Sequence, residues 1–233
     1  MGMNFKGVET RLNKELAPFL LTIGFLEDEK LHYYKPFSED IVFYINLNVK
    51  GYEYDDFSVQ SVFGLTLKHI EKFWVDYRNI LGEDHPLYPR TISFLKSYLK
   101  PELDKKYHKH LGEAREPIKT EEDIKNYIYQ FKQEYEELII PFVEQVTKIE
   151  WLDEKLNSDY KNFKLIPPFQ PDGLLYKKLI VAKLNKNSNF EVMYNSFKEV
   201  LVKHINNTND EYSKKQLIVL DKVYNDLKSN DLT

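Results

Sequence analysis

The longest alternation of apolar and polar positions runs from Asp40 to Lys50, where Ile41, Phe43, Ile45, Leu47 and Val49 occupy every second place. A strand sends successive side chains to opposite faces, so these line one side, and Val42, Tyr44, Asn46, Asn48 and Lys50 line the other. The first side demands cover and the second tolerates water, which predicts a half-buried strand in an antiparallel sheet. Burying the apolar set is worth roughly 1.5–3 kcal/mol per side chain as an upper bound, enough to hold the register against a one-residue slip.

On the N-terminal side, Phe5, Val8, Leu12, Leu16, Phe19 and Leu20 recur at three- and four-residue steps, which predicts an amphipathic helix over about 4–21, stopped by Gly24. The acidic run Glu27-Asp28-Glu29 reads as a turn into a first strand, Leu31 to Lys35. On the C-terminal side, Phe57, Val59, Phe63 and Leu65 alternate with Ser58, Gln60 and Thr66, giving a third strand and an antiparallel meander. From Lys68 the period becomes helical, with Ile70, Phe73, Trp74, Tyr77, Ile80 and Leu81 in one stripe closed by Gly82. This helix and the first are expected to cover the sheet.

The run from Thr91 to Phe94 fits a fourth strand, although Phe94, Leu95, Tyr98 and Leu99 also have helical spacing ended by Pro101; the short strand is preferred. Residues 101–120 are polar and read as a connector. Thr120 with Asp123 three places on marks a helix start, and Ile124, Ile128, Phe131, Tyr135, Leu138 and Phe142 carry the longest helical stripe in the chain. Pro141 removes a backbone donor and crowds the preceding turn, so a break is expected just before it. A proline-rich linker from Lys164 to Gly173 separates this helix from three more, over roughly 174–184, 189–205 and 211–228. The expected class is α+β: an N-terminal helix, a three- to four-stranded antiparallel sheet with a covering helix, then an all-helical half, with domains over 1–118 and 119–233.

A helix ending near Gly24-Phe25, a strand of the form YINLNV (Tyr44 to Val49), and a later helix interrupted by IIPFVEQ (Ile139 to Gln145) before Trp151-Leu152 carry a family likeness. In these features the chain resembles the uncharacterised bacterial family called domain of unknown function 4304, over about its first two-thirds. It departs from that pattern at Glu27-Asp28-Glu29, acidic where the family is basic. The resemblance implies the fold and brings no catalytic residues.

Charge and composition narrow the chemistry. With 33 Lys and Arg against 37 Asp and Glu, the net charge is −4 with the signs interspersed, so neither nucleic acid nor an anionic membrane is an expected partner. Leu16 to Leu26, the most apolar early run, is too short to span a bilayer. Absence of cysteine excludes disulfides and thiolate chemistry and fits a cytoplasmic setting. No phosphate-binding glycine loop, nucleophile elbow or metalloprotease helix is present, and no cofactor is expected. His108 and His110 form the sole close histidine pair, in a polar segment where a solvated linker is favoured over a metal site.

The second sheet face is the better lead. His32, Tyr34, Tyr44, Asn46, Asn48 and Gln60 would project together from neighbouring strands, mixing rings that stack with groups that hydrogen-bond. The expectation is a non-catalytic binding or interaction protein, a monomer or weak dimer, engaging an unknown protein or small ligand through this face or the groove between halves. The alternative is a hydrolase-like enzyme using His85 or His108 with Glu113 in the cleft.

Overall fold

A computed structural model of the 233-residue chain describes residues 4–51, 57–82, 90–101, 116–162, 164 and 166–229. The architecture is α+β: an N-terminal helix, an antiparallel sheet and a helical C-terminal half. By contacts the chain divides into two compact units, Met1–Leu65 with Ile92–Glu144, and Thr66–Thr91 with Gln145–Thr233. This division does not follow the boundary at 118/119 expected from the sequence, because each unit is built from two stretches of chain.

In the first unit, helix α1 (Phe5–Thr22) buries Val8, Leu12, Leu16 and Leu20, one residue per turn. The Asn4 side chain accepts from the Gly7 N–H at 2.8 Å and caps its start. Its end is a Schellman turn: Gly24 takes φ +89, its N–H bonds Leu21 O, and the Phe25 N–H bonds Leu20 O. Strands β1 (Leu26–Glu29), β2 (His32–Ser38), β3 (Ile41–Gly51), β4 (Phe57–Leu67) and β5 (Ile92–Leu95) lie in that order, and β6 (Glu116–Ile118) also pairs with β4. The acidic run expected as a turn is therefore the edge strand β1. All four of its side chains are exposed, so it carries no apolar alternation to read, and its charges protect an edge from further pairing.

Phe43, Ile45 and Leu47 of β3 are buried as the alternation requires. Phe63 of β4 binds the layer together, stacked on Phe43, Phe94 and Phe131 at centroid distances of 6.4, 5.2 and 6.3 Å. Phe131 belongs to α5 (Glu121–Glu134), whose start carries the expected capping box between Thr120 and Asp123. The helices that cover the sheet are thus α1 and α5. The segment from Lys68 to Leu81, expected in that role, is instead broken into α2 (Lys68–Glu71), a 3₁₀ turn (Val75–Tyr77) and α3 (Arg78–Leu81), and belongs to the second unit.

Ahead of Pro141 the helix widens to a π turn over Tyr135–Ile139 before continuing as α6 (Ile140–Val146), the break expected from the missing proline N–H and its ring. Both readings of residues 91–100 hold in part: β5 is followed at once by α4 (Lys96–Leu99), which stops before Pro101.

The second unit contains α2, the 3₁₀ turn and α3 with α7 (Ile149–Asn157), α8 (Leu174–Leu184), α9 (Phe190–Thr208) and α10 (Glu211–Ser229). Helix α8 is its centre, with Tyr176 to Ala182 all buried and no polar stripe. It begins at Gly173, whose φ is +64 and where an added β-carbon would lie 2.6 Å from the Trp74 ring, so no side chain fits. Asn209, in the left-handed region, turns the chain from α9 into α10.

Candidate functional site

Antiparallel pairing fixes which side chains share the outer sheet face. His32 lies opposite Asn46, Tyr34 opposite Tyr44, and Pro36 opposite Val42; on the far side of Tyr34 stands Leu26. The result is a row, Leu26–Tyr34–Tyr44, crossing three strands, flanked by Pro36 and Val42 on one side and His32 and Asn46 on the other. A bulge in β1 sets Glu29 against His32, with Oε2 3.7 Å from Nδ1.

Among the described residues, this face is most accessible towards β1 and β2. Leu26 is 50% exposed, Asn48 is exposed, and His32, Tyr34 and Asn46 are partly so. Tyr44 and Gln60, both expected to face outward, are only 6% exposed, and Ser58 and Thr66 are buried as well. The physical reason is that alternation assigns a face but not its cover: β4 is buried at nearly every place on both of its faces, and Tyr44 lies on the strand beside it, while the same face opens towards β1 and β2. His32, Tyr34, Asn46 and Asn48 remain as the accessible part of the expected set, and Leu26 joins them. Sequence reading missed Leu26 because its strand was taken for a turn.

His85, His108 and Glu113, the residues of the enzyme alternative, lie outside the described residues, as does His110. Among the described residues, no three His, Asp or Glu side chains converge to hold a metal ion.

Two buried ionic networks were not expected. In the first unit, Glu134 of α5 lies between two ammonium groups, Lys96 Nζ at 2.6 Å and Lys100 Nζ at 2.5 Å, and Lys96 also meets Glu116 of β6 at 2.6 Å. Burial pushes Lys96 down, but Glu116 and Glu134 outweigh it and leave it above its ordinary value. Burial raises the Glu116 carboxyl, with Lys96 opposing. Beside them, the hydroxyls of Ser61 and Tyr127 share a hydrogen bond of 2.7 Å.

In the second unit, Glu71 accepts from the Trp74 indole N–H at 2.9 Å and the Thr91 hydroxyl at 2.7 Å, and pairs with Lys177 at 3.2 Å. Thr91 in turn accepts the Leu67 N–H at 2.9 Å. Burial lowers the Lys177 ammonium, with Glu71 opposing. Arg78 pairs with Asp172 and lies over the Trp74 ring at 4.8 Å.

Each network matches its positive and negative groups with one another. A general base or nucleophile must be within reach of a substrate atom, whereas Glu71 and Lys177 are almost wholly withdrawn from solvent. Their chemistry is that of scaffold: a charge taken out of water is tolerated where its partner and hydrogen bonds go with it. No local signal in the sequence announced them, since the partners are separated by tens of residues.

Comparison with protein-family models, with curated proteins and with solved structures yields no match.

Proposed function

We propose that the chain is a non-catalytic binding protein that engages a protein partner through the accessible end of its outer sheet face. The observation that carries this reading is the exposed Leu26 beside the partly exposed Tyr34, paired across two strands and backed by the buried Tyr44, with His32, Asn46 and Asn48 at the rim. Interfaces favour this composition: a ring brings a large contact area with few rotatable bonds, and amide and imidazole groups around it supply direction. A rigid sheet holds such a row in place before the partner arrives, so little ordering is left to oppose binding. The self-matched buried networks support a non-catalytic role, because their charged groups are engaged in holding elements together. A cytoplasmic setting fits a chain of 233 residues without cysteine.

The test immobilises wild type, a Leu26→Asp/Tyr34→Ala double variant and a Tyr129→Ala control, and compares what each retains from an extract of the native cells. Tyr129 is 63% exposed on α5, away from this row. The expected result is a set of proteins held by wild type and control and lost by the double variant. Identical retention by all three overturns the reading.

A further inference from the structure

The helices α9 and α10 carry the same sequence pattern, an acidic residue, then Tyr three places on, then Lys four places beyond: Glu191–Tyr194–Lys198 and Asp221–Tyr224–Lys228. The fold sets these two copies against each other with swapped partners. The Tyr194 hydroxyl donates to Asp221 at 2.7 Å and accepts from Lys198 at 3.0 Å. The Tyr224 hydroxyl donates to Glu191 and accepts from Lys228 at 3.2 Å. Each lysine also closes an ion pair with the acid of the other helix, Lys198 with Asp221 at 3.1 Å and Lys228 with Glu191 at 3.5 Å. Between these polar ends the two rings stack face to face, with centroids 3.7 Å apart and planes 8° from parallel.

From this geometry we infer that Tyr194 and Tyr224 form a site of oxidative modification, at which a one-electron oxidant joins the two rings into a dityrosine that staples α9 to α10. Three features support the step. The ring atoms are at van der Waals separation, whereas most aromatic pairs prefer an offset or edge-on arrangement at 4.5–7 Å. Both phenols already donate to a carboxylate, so each has a proton acceptor in place when an electron leaves. Both rings are partly exposed, within reach of a diffusible oxidant. Burial and the neighbouring carboxylates hold both phenols above their ordinary pKa, so the protonated phenol is the reacting form at neutral pH.

The balance is simple. Each phenol gives one electron to one equivalent of oxidant and its hydroxyl proton to Asp221 or Glu191. The two phenoxyl radicals combine through one new carbon–carbon bond between ring positions ortho to oxygen. Each ring then returns its ortho hydrogen to its own oxygen as a proton and regains aromaticity. Overall, two tyrosines yield one dityrosine, two protons and two electrons, the electrons having reduced two equivalents of oxidant. Suitable oxidants are peroxide-derived radicals or a photogenerated trivalent ruthenium tris-bipyridine complex.

The experiment exposes the full-length protein, at low concentration, to light and limiting ruthenium complex with persulfate, then maps cross-linked peptides by mass spectrometry. Of the 17 tyrosines in the chain, Tyr194 and Tyr224 are expected to account for the main intramolecular cross-link. Tyr194→Phe and Tyr224→Phe each remove it. An Asp221→Asn/Glu191→Gln variant, with the rings kept, forms it about tenfold more slowly, the equivalent of one charge-assisted hydrogen bond at the proton loss. Circular dichroism of each variant verifies that the helices remain. Dityrosine distributed over other exposed tyrosines such as Tyr129, or an undiminished rate in the folded Asn/Gln variant, overturns the inference.

Discussion

The ammonium of Lys177 lies 3.2 Å from Oε1 of Glu71, and both side chains are almost wholly withdrawn from solvent. Removing one member of such a pair leaves a charge buried without compensation, which costs about 3–5 kcal/mol, whereas removing both deletes the problem. Glu71→Leu is therefore expected to destabilise the protein by about that amount in urea denaturation. The double variant Glu71→Leu/Lys177→Met is expected to recover part of the loss. Recovery stays incomplete because the Trp74 indole and Thr91 hydroxyl still lack their acceptor.

Gly173 is expected to tolerate no side chain. An added β-carbon lies 2.6 Å from the Trp74 ring, and the backbone sits at φ +64. Gly173→Ala is expected to cost about 2–4 kcal/mol, the sum of overpacking and left-handed strain. A thermal melt that matches wild type would contradict the packing described around Trp74.

Asp153 ties three amides together, accepting from Asn157 at 2.7 Å and from Asn185 and Asn187 at 2.8 Å each. Asp153→Ala removes the shared acceptor from all three amides, the buried Asn157 keeping its bond to Lys178 O. A loss of about 2–3 kcal/mol is expected by denaturant titration.

Alkaline pH acts on this fold in a defined direction. The Tyr135 phenol is pushed up to about 12 by burial and by Glu136, and the Tyr77 phenol to about 12 by its hydrogen bond to Asp226 and by burial, both from 10.0. A raised folded-state value means that the native state holds protons the unfolded chain has released. The stability these groups contribute is complete below pH 10.0 and is lost as pH rises towards about 12. Lys177 and Lys178, lowered by burial, act oppositely and add stability with rising pH until 10.5. Stability is thus expected to fall with pH above 10.5, and the phenolate absorbance to appear partly in step with unfolding. A smooth titration of all tyrosines without unfolding would contradict it.

How far the sequence spoke depends on the range of the interaction. Local periodicity and capping fixed α1 with its stop at Gly24, β3 and the helix begun by Thr120, because each depends on residues within a few places of one another. Leu26 escaped because an exposed edge strand has no apolar face to betray it. Tyr44 and Gln60 misled for the opposite reason: alternation tells which face a side chain takes and not whether that face is covered, and β4 is buried at nearly every place on both faces. The buried Lys96–Glu134 and Lys177–Glu71 pairs lay beyond reach, since a charge reads as surface until its distant partner is known. The paired Glu191–Tyr194–Lys198 and Asp221–Tyr224–Lys228 patterns were present in the sequence, but each alone resembles an ordinary solvated helix face.

Direct contact at Tyr34 is the most immediate test of the binding role. A photo-activatable phenylalanine at position 34, in the full-length chain in its native cell, is compared with the same residue at position 129. The expected result is a discrete adduct from position 34 that disappears when Leu26→Asp is added and is absent from position 129. Irradiation that yields no adduct at 34, or the same adducts at both positions, would contradict the account.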